Sequence, residues 1–518
     1  MTSRHTNLLL SLLLVILTAC SGPSHPQLPA TFVEGDSVIA LIPDYRDVTI
    51  PVNIAPLNFM VNDETVDECV AEFVYVGGKQ TYGEGRKIIV DQQEWREMLV
   101  TSVGQDITVN LFTNRAGKWQ RHPSFTLHVV GDSIDPYIAY RLIPPSYSTY
   151  ENLSINERCI EDFTEKEIYN NQMLDATMGG HCINCHAFQN YRTERMQFHI
   201  RSEFAGTVIY DNGKLEKVDL KSPQTIGPGV YPAWHPSLDL IAYSVNKTFQ
   251  NFHTTLIGKV EVQDSEGDLM LYDVTNHKVM SICNEPDELA AFPAWSPDGQ
   301  WLYYASAHLE YRDTTEIALG ADPDQIRQHE AIARHQEVKY DIYRRSFDVQ
   351  NLSFGAAEKV LAASQIGKSA TVPRISPDGR YLLTAMGDYG CFQIWHPESD
   401  LYVTSLDEEK SDTDTLLYNK MYASTYALTD ANSDKAESYH NWSSNGRWII
   451  FASRRVDNNY SRLYFSYFDK DGLAHKAFEL PLKDPEMGLL SLKSYNVPEF
   501  IIESVRVSAA EIAHIVEE

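Results

Sequence analysis

A motif that recurs four times between residues 206 and 505 constrains the fold more than any other feature of this chain. Its general form is one variable residue, Pro, a second variable residue, and then Trp-Ser-Pro-Asp-Gly, followed by a run of apolar and aromatic residues. Asp-Gly or Asn-Gly favours a tight turn between two strands, and the run after it predicts a buried strand. The four copies begin at Tyr231, Phe292, Val372 and His440.

A sheet made from one such repeat cannot bury both of its faces, so the repeats must stack against one another in a ring. The motif resembles the repeat of TolB-type β-propellers, and this resemblance implies a propeller of about six blades over residues 206–505. A charged insertion at residues 308–339 interrupts the repeats and predicts a helix around residues 326–335. Propellers serve as binding platforms, enzymes and scaffolds, so the resemblance implies a fold rather than a function.

The remaining segments complete an all-β chain. Residues 33–135 contain short β-branched and aromatic runs separated by turn residues, which predicts an immunoglobulin-like β-sandwich. Residues 136–176 are expected to be a connector with a helical piece at 161–173, and residues 506–518 a C-terminal tail.

The most informative chemical motif is C-x-x-C-H, formed by Cys182, Cys185 and His186. At this spacing two thiols bond covalently to one haem, and the next residue supplies the proximal imidazole to the iron. A disulfide or half of a zinc site is the alternative use of such a pair. No βαβ context surrounds the motif, and adjacent Cys and His residues make closure of a four-ligand zinc site awkward. Residues 177–205 are therefore predicted to bind one covalent haem c between the two β-domains.

The second axial ligand of such an iron decides its chemistry, because a saturated iron suits electron transfer and an open position permits binding. Met196 and His199 are the nearest downstream candidates. If they share a strand they face opposite sides, so only one of them can reach the iron. A core methionine and a hydrogen-bonded histidine are the alternative interpretations, as is a distant ligand or an open site.

Arginines cluster just after the motif, in a chain whose overall charge is negative. Arg pairs with carboxylates in a planar fork, so Arg195 and Arg201 are predicted to bind the haem propionates. A solvated basic patch, or a docking site for an acidic partner, would give the same local excess of charge.

The N-terminus predicts export. Arg4 and His5 precede an apolar run at residues 8–17, which suits a signal peptide and is too short for a good membrane span. The run ends in Leu-Thr-Ala-Cys, which resembles a bacterial lipobox. This implies removal of residues 1–19, lipidation of Cys20, and a flexible tether at residues 20–32. An ordinary signal peptide is the alternative. The expected location is the bacterial cell envelope, lipid-anchored to the outer membrane and facing the periplasm.

The composition of the chain narrows the classes of partner that it can bind. The net charge of −28 argues against nucleic acid and against electrostatic adhesion to anionic lipid. The chain is 43% hydrophobic, which is enough for sizeable cores. The other cysteines have no scaffold-like spacing, and the sequence leaves open whether they pair: Cys69, Cys159, Cys283 and Cys391.

The combination of lipoprotein signal, N-terminal β-domain, haem motif and propeller resembles bacterial proteins labelled cytochrome c-related or cytochrome c biogenesis proteins, which implies a haem association. The sequence predicts a lipid-anchored monohaem c-type cytochrome that transfers single electrons to a redox partner in the envelope. A TolB-like binding or assembly scaffold with structural or sensory haem is the alternative, and a haem peroxidase or gas-binding protein is a third. An electron carrier or binding protein is favoured over a catalyst, because no nucleophile elbow, phosphate loop or dinucleotide fingerprint is present.

Overall fold

The structure is a computed structural model of the chain. It describes residues 25–144, 152–175, 181–252, 260–285, 287–311, 320, 322–406 and 424–518. The predicted signal peptide at residues 1–19 and the predicted lipidation site Cys20 lie outside these described residues.

The chain divides into two compact units, each of which draws on separate stretches of sequence. The first unit contains the residues up to Asp47 together with Ala55–Val130 and Pro481–Leu489. The second unit contains Val48–Ile54, Gly131–Leu480 and Leu490–Glu518. The predicted sandwich at residues 33–135 therefore lacks one segment that comes from near the C-terminus.

The first unit holds two sheets in its described residues. In the larger sheet Val33–Glu34 runs parallel to Lys118–Arg121, and the other neighbours are antiparallel. The smaller sheet is antiparallel. The larger sheet contains Val33–Glu34, Glu68–Tyr75, Gly78–Tyr82, Gln105–Arg115, Lys118–Arg121 and Phe125–Val130, and the smaller contains Leu41–Ile42, Phe59–Val61 and Lys87–Ile88.

The first unit also contains a helix, Gln92–Thr101, that the strand pattern did not predict. Asp91 caps it by accepting hydrogen bonds from two backbone N–H groups of the first turn. One face of the helix is buried through Trp95, Met98 and Leu99. Their spacing of three and four residues is helical, and the short length of this stretch hid the signal among the strands.

The second unit consists mainly of antiparallel sheets, here labelled I to VI, with the strand Val48–Pro51 beside them. A single parallel bridge between Gly267 and Leu289 links sheets III and IV. In pairing order, sheet I contains Ser494–Ile501, Tyr137–Ile143, Ser154–Cys159 and Glu165–Asn170, and sheet II contains His181–Gln189, Arg192–Ser202, Gly206–Asp211 and Lys214–Val218. Sheet III contains Val230–Trp234, Leu240–Phe252, Val260–Asp273 and Lys278–Cys283, and sheet IV contains Glu288–Trp295, Trp301–His308, Asp341–Asp348 and Glu358–Leu361, with Ser353–Phe354. Sheet V contains Ser369–Ile375, Tyr381–Gly387, Asp400–Ser405 and Thr425–Ala427, and sheet VI contains Glu437–Trp442, Trp448–Ser453, Arg462–Tyr467 and Phe478–Glu479.

The first strands of these sheets contact one another in a closed circuit, from sheet I through sheet VI and back to sheet I. Strands arranged in this way around one axis form a β-propeller. The fold of the second unit is therefore propeller-like and mostly β, as the repeated motif predicts.

The circuit closes with strands from both ends of the unit. Ser494–Ile501 pairs antiparallel with Tyr137–Ile143, which brings a C-terminal strand into a sheet of N-terminal strands. Three strands of sheet I thus lie where the sequence predicted a connector with a helix: Tyr137–Ile143, Ser154–Cys159 and Glu165–Asn170. Residues 181–202 are likewise the first two strands of sheet II, rather than a separate segment between two domains.

The Ser-Pro-Asp-Gly turn explains why the motif recurs. The hydroxyl of Ser296 donates to Asp298 at 2.5 Å and accepts the backbone N–H of Trp301 at 2.9 Å. Gly299 then takes a left-handed φ of +70°, which favours glycine. Turns at Ser376 and Ser443 repeat this pattern. These three copies therefore join the first and second strands of a sheet with the same tight turn, whereas in the copy that begins at Tyr231 the ring of His235 accepts the backbone N–H groups of Ser237 and Leu238 instead.

Apolar side chains fill the space between neighbouring sheets. Ile155 of sheet I packs in one cluster with Phe198 of sheet II, and Ile342 of sheet IV packs in another with Leu382 of sheet V. Each large side chain buried in this way contributes roughly 1.5–3 kcal/mol relative to exposure. Stacking of the repeats is therefore what stabilises the ring.

Helices are few among the described residues of the second unit. Pro323–Ala333 lies within the insertion for which the sequence predicted a helix. Residues 506–518, predicted as a tail, contain the helix Ala509–Glu517, which a capping box between Ser508 and Glu511 starts and which packs against sheets I and II. The short helical elements of this unit are His335–Glu337, Ala363–Ile366 and Gln393–Trp395, whereas Met487–Leu490 begins in the first unit. Across the described ranges, no helix has the length and apolar character needed to cross a membrane.

Candidate functional site

The C-x-x-C-H motif lies on His181–Gln189, the first strand of sheet II. The pairing with the second strand passes from Asn184–His199 directly to Ala187–Gln197, so one extra residue bulges from the strand. Cys185 takes a left-handed φ of +57° at this bulge. Residues three apart on a regular strand face opposite sides, and the bulge changes this so that Cys182 and Cys185 line the same cavity.

The same bulge recurs in the first strand of every sheet from I to VI, always with a non-glycine residue whose φ lies between +47° and +57°. The residues with this unusual φ are Cys185, Tyr231, Phe292, Val372, Tyr439 and Val497, and all of them line one cavity. The residues that follow them are His186, Pro232, Pro293, Pro373, His440 and Pro498. Cys185 and His186 are therefore the sheet II copy of a residue pair that belongs to the repeat.

The cavity has a volume of about 520 Å³ and lies where the first strands of the sheets meet. This volume is within the range of small-molecule sites. Its apolar wall includes Phe292, Phe392, Ile394 and Trp395. The long second and third strands of sheet III add Val262 and other residues. The cavity can therefore hold a ligand with a large apolar body.

His186 is 2% exposed, and neither ring nitrogen forms a hydrogen bond of normal geometry with a described residue, although the backbone carbonyls of Val497 and Ala139 in sheet I lie near the ring. Burial lowers its pKa to about 4, helped by the nearby charge of Arg141 and partly offset by the backbone carbonyls of Val497 and Ala139. The imidazole is therefore neutral at physiological pH, which is the state that binds a metal.

His440 is the equivalent residue of sheet VI, and its surroundings differ. Its Nε2 donates to the carbonyl oxygens of Val372 at 2.8 Å and Leu383 at 3.2 Å, both in sheet V. Val372 is the bulge residue of that sheet. Histidine after a bulge thus faces carbonyl oxygens of the preceding sheet at both positions, and these contacts have normal hydrogen-bond geometry at His440 but not at His186.

One arginine links the two cysteines of the motif. Arg141 of sheet I donates to Asn184 Oδ1 at 2.6 Å and points a second N–H at Cys182 Sγ, 3.9 Å away. Asn184 Oδ1 also accepts the backbone N–H of Cys185 at 2.9 Å. Burial raises the pKa of the Cys185 thiol, and the charges of Arg201 and Arg141 partly offset this effect. Both cysteines are free thiols in this structure.

The two arginines predicted to bind the haem propionates, Arg195 and Arg201, lie in different surroundings. Arg201 is exposed and lines the cavity. Arg195 lies outside the cavity lining and forms ion pairs instead, with Nε 2.9 Å from Asp211 and Nη1 2.5 Å from Asp239. Sequence proximity grouped these residues, but their side chains point to different surroundings.

Neither predicted distal ligand lines the cavity. Met196 is fully buried in the apolar cluster between sheets I and II, in line with Phe198 and Ile200. His199 faces the other side of the strand, with Nδ1 3.2 Å from Thr207 Oγ1, and burial lowers its pKa to about 4. The expectation that the two residues face opposite sides agrees with this strand. A six-coordinate iron would require either that one of them leaves its present neighbours or that a distant residue supplies the ligand.

No group of three or more His, Cys, Asp or Glu side chains suited to a metal ion occurs in the described part of the chain. An iron at His186 would therefore need a porphyrin to supply most of its ligands. No disulfide occurs among the described cysteines, and the thiols away from the motif are all buried: Cys69, Cys159, Cys283 and Cys391.

Sequence reasoning did not find several cavity residues. Arg141, Arg374 and Arg454 line the cavity but lie far from the motif in sequence. Glu499 is also there, and burial raises its pKa to about 8. A signal for part of this set was present, because Cys185-His186-Ala187-Phe188 aligns with Tyr231-Pro232-Ala233-Trp234 of the first repeat copy.

No protein-family model matches this chain, and no curated protein matches it. Among solved structures, the chain is similar to prolyl oligopeptidase B from Galerina marginata, at 10% identity and a TM-score of 0.34 over 75% of this chain and 46% of that one. It is also similar to the tricorn protease, at 11% identity and a TM-score of 0.29 over 79% and 41%. The Dos1 propeller gives 9% identity and a TM-score of 0.32 over 83% of each chain.

The chain spans less than half the length of the prolyl oligopeptidase and tricorn chains. All three likenesses are too distant to carry an argument about function. The propeller assignment therefore depends on the strand circuit and the repeated turn of this chain.

Proposed function

We propose that this protein is an exported, lipid-anchored c-type haem protein that carries one electron at a time, with a six-bladed propeller as the docking platform for a redox partner. One observation carries the proposal: Cys182, Cys185 and His186 line a single cavity of about 520 Å³. Two thiols and an imidazole are the groups that a covalent haem requires.

Three features of the cavity fit this group. Its apolar wall suits a porphyrin ring, and the arginines that line it suit propionates. His186 supplies a buried, neutral imidazole whose nitrogens lack hydrogen bonds of normal geometry with the described residues. Cys182 and Cys185 would form the thioether bonds, His186 would be the proximal ligand, and Arg201 would pair with a propionate. Bound haem would supply one-electron exchange between ferric and ferrous iron.

The proposal does not fix which residue supplies the sixth ligand of the iron. Met196 and His199 are the ligands that the sequence predicts, and both have other neighbours in the structure. Met196→Leu and His199→Gln test them through the optical spectrum. A six-coordinate, low-spin spectrum that becomes high-spin in one variant identifies the ligand, and unchanged spectra in both exclude them.

The proposed location is the outer membrane facing the periplasm, with attachment through lipid on Cys20. Covalent haem and an export signal support each other, because c-type haem is attached outside the bacterial cytoplasm. The negative surface of the chain, at a net charge of −28, suits a positively charged redox partner.

Expression with haem-attachment machinery, followed by intact mass and a pyridine haemochrome assay, tests the proposal. We expect one covalent haem per chain and reversible reduction and oxidation by mild mediators. Cys182→Ser with Cys185→Ser should abolish covalent haem. Cys283→Ser is the matched control, since Cys283 is a buried thiol of sheet III outside the cavity. Wild-type protein that remains colourless, with both motif thiols free, would contradict the proposal.

The second candidate is a TolB-like binding or assembly scaffold, and the repeat itself favours it. Cys185 and His186 hold positions that every sheet of the ring fills, and the equivalent His440 has a structural role. In this candidate haem is structural or sensory, so the double cysteine variant should retain partner binding without haem. Loss of electron transfer with intact partner binding would favour the cytochrome instead.

A further inference from the structure

The cavity of the propeller concentrates positive charge in a strongly negative chain. The chain has 43 Lys and Arg residues against 71 Asp and Glu residues. Among the described residues that line the cavity, four are arginines and one is a carboxylic acid: Arg141, Arg201, Arg374, Arg454 and Glu499. A cavity with low-dielectric walls and charge of one sign attracts ligands of the opposite sign.

Arg141 is the residue among these whose positive charge is most clearly left for a ligand. It is 8% exposed, and it donates to the neutral groups of Asn184 and Cys182 without an ion pair to any described carboxylate. Its Nε has no hydrogen-bond partner in the described chain. Arginine stays protonated in proteins, and a buried charge without a counter-ion is costly. The residue therefore favours an anionic ligand in the cavity.

Two further polar atoms at the cavity wall lack partners among the described residues. They are Asn496 Oδ1 and Glu499 Oε2, both on the closing strand Ser494–Ile501 beside Arg141. In the circuit of first strands, Glu288–Trp295 is the strand farthest from this one, and it contributes Phe292 to the apolar wall. The cavity thus has a polar side at sheet I and a mainly apolar side at sheets III to V, where Arg374 of sheet V is the charged exception.

We propose that the cavity is a non-covalent binding site for a flat, apolar molecule with one or more carboxylates, and that Arg141 recognises a carboxylate. The choice of ligand class rests on the proposed haem function, but the recognition does not require thioether bonds. Arg374, on a strand across the circuit from the motif, supplies a second cation. Carboxylate–guanidinium hydrogen bonds are among the strong ones in proteins.

Metal-free protoporphyrin IX and its dimethyl ester are suitable probes, since they differ only in the carboxylates. Binding is measured by fluorescence titration with Cys182→Ser and Cys185→Ser in the chain, so that no thioether can form. We expect the diacid to bind at least about tenfold more tightly than the diester. Arg141→Gln should weaken binding of the diacid by about tenfold and leave the diester unchanged.

Arg192→Gln is the matched control, because Arg192 is an exposed arginine on sheet II outside the cavity lining. It should leave both affinities unchanged, and Arg141→Lys should partly restore binding of the diacid. Arg374→Gln gives a second variant if Arg141→Gln fails to fold, as judged by circular dichroism. Equal affinity for diacid and diester, or equal weakening of both by Arg141→Gln, would overturn the proposal.

The outcome separates this inference from the proposed function. Suppose that wild-type chains carry no covalent haem but the protein binds the diacid selectively. This result would contradict the cytochrome proposal and support the carboxylate site. Covalent haem without this selectivity would keep the cytochrome proposal and remove the role of Arg141.

Discussion

Sheets II and VI carry the same local structure and use it differently. Each has a bulge on its first strand followed by histidine, namely Cys185-His186 and Tyr439-His440. His440 donates hydrogen bonds to two carbonyl oxygens of sheet V. His186 is as deeply buried and lines the cavity, and its contacts with the equivalent carbonyls of sheet I, those of Val497 and Ala139, lack normal hydrogen-bond geometry.

The comparison shows how a repeat position becomes a candidate site. The bulge directs its residue toward the axis in every sheet, so any reactive residue placed there reaches the cavity. Tyr, Phe and Val at this position line the cavity, whereas Cys185 places a thiol there. His186 makes no hydrogen bond of normal geometry with a described residue, although the carbonyls of Val497 and Ala139 lie near its ring, and a poorly satisfied polar group in a buried position favours a ligand.

The largest expected effect of a single substitution concerns the hydrogen-bonded member of the pair. His440→Ala removes two hydrogen bonds between sheets and leaves a cavity, so the free energy of unfolding should fall by about 2–4 kcal/mol. Urea denaturation of the haem-free protein measures it. A loss no larger than that of the corresponding His186 variant would show that the two histidines are equivalent in energy.

The pH dependence of stability gives the next effect. Burial lowers the pKa of His440 to about 3 and that of His186 to about 4, so between these values and about 6.5 the unfolded chain binds more protons. Stability should be full above pH 6.5 and fall as pH decreases toward 4, by up to about 1.4 kcal/mol per pH unit for each histidine. His440→Gln should flatten this slope in urea titrations, and an unchanged slope would argue against burial as its cause.

A smaller effect is expected at the other member, His186. His186→Leu replaces poorly satisfied nitrogens with an apolar side chain of similar size, so the free energy of unfolding should change by less than about 1 kcal/mol. The same denaturation measurement on haem-free protein checks it, with His186→Gln as the polar control. A loss above about 3 kcal/mol would mean that His186 is an inter-sheet contact like His440.

The smallest effect concerns Arg195, which shares sheet II with the motif. Arg195→Gln breaks partly exposed ion pairs with Asp211 and Asp239, so it should cost less than about 1 kcal/mol. Binding of protoporphyrin IX should stay unchanged, because Arg195 does not line the cavity. Weaker porphyrin binding in this variant would show that Arg195 contributes to the binding site.

Much of the fold could be predicted from local sequence. The Ser-Pro-Asp-Gly turn and the apolar run after it were predictable from the sequence because the hydrogen bonds of Ser296 with Asp298 and Trp301 are local. The closing strand Ser494–Ile501 was not, because its partner Tyr137–Ile143 lies more than 350 residues away. Strand pairing at that distance has no local signature.

The candidate site divides in the same way. Cys182, Cys185 and His186 were grouped from spacing alone, and all three line one cavity, while their binding of haem stays a prediction. The arginine beside them was not predictable, since Arg141 reaches Cys182 through the pairing of separate sheets. Arg195 and Met196 were chosen for proximity in sequence, yet alternate residues of one strand face different surroundings.

The amino-acid sequence by itself determined the repeat, the turn chemistry and the order of the haem motif, because each depends on residues within about ten positions of one another. Only the tertiary structure decided that the motif lies on the first strand of a sheet and that its bulge faces a cavity shared with distant arginines. Ring closure brings those residues together, and the burial of apolar surface between neighbouring sheets holds them there.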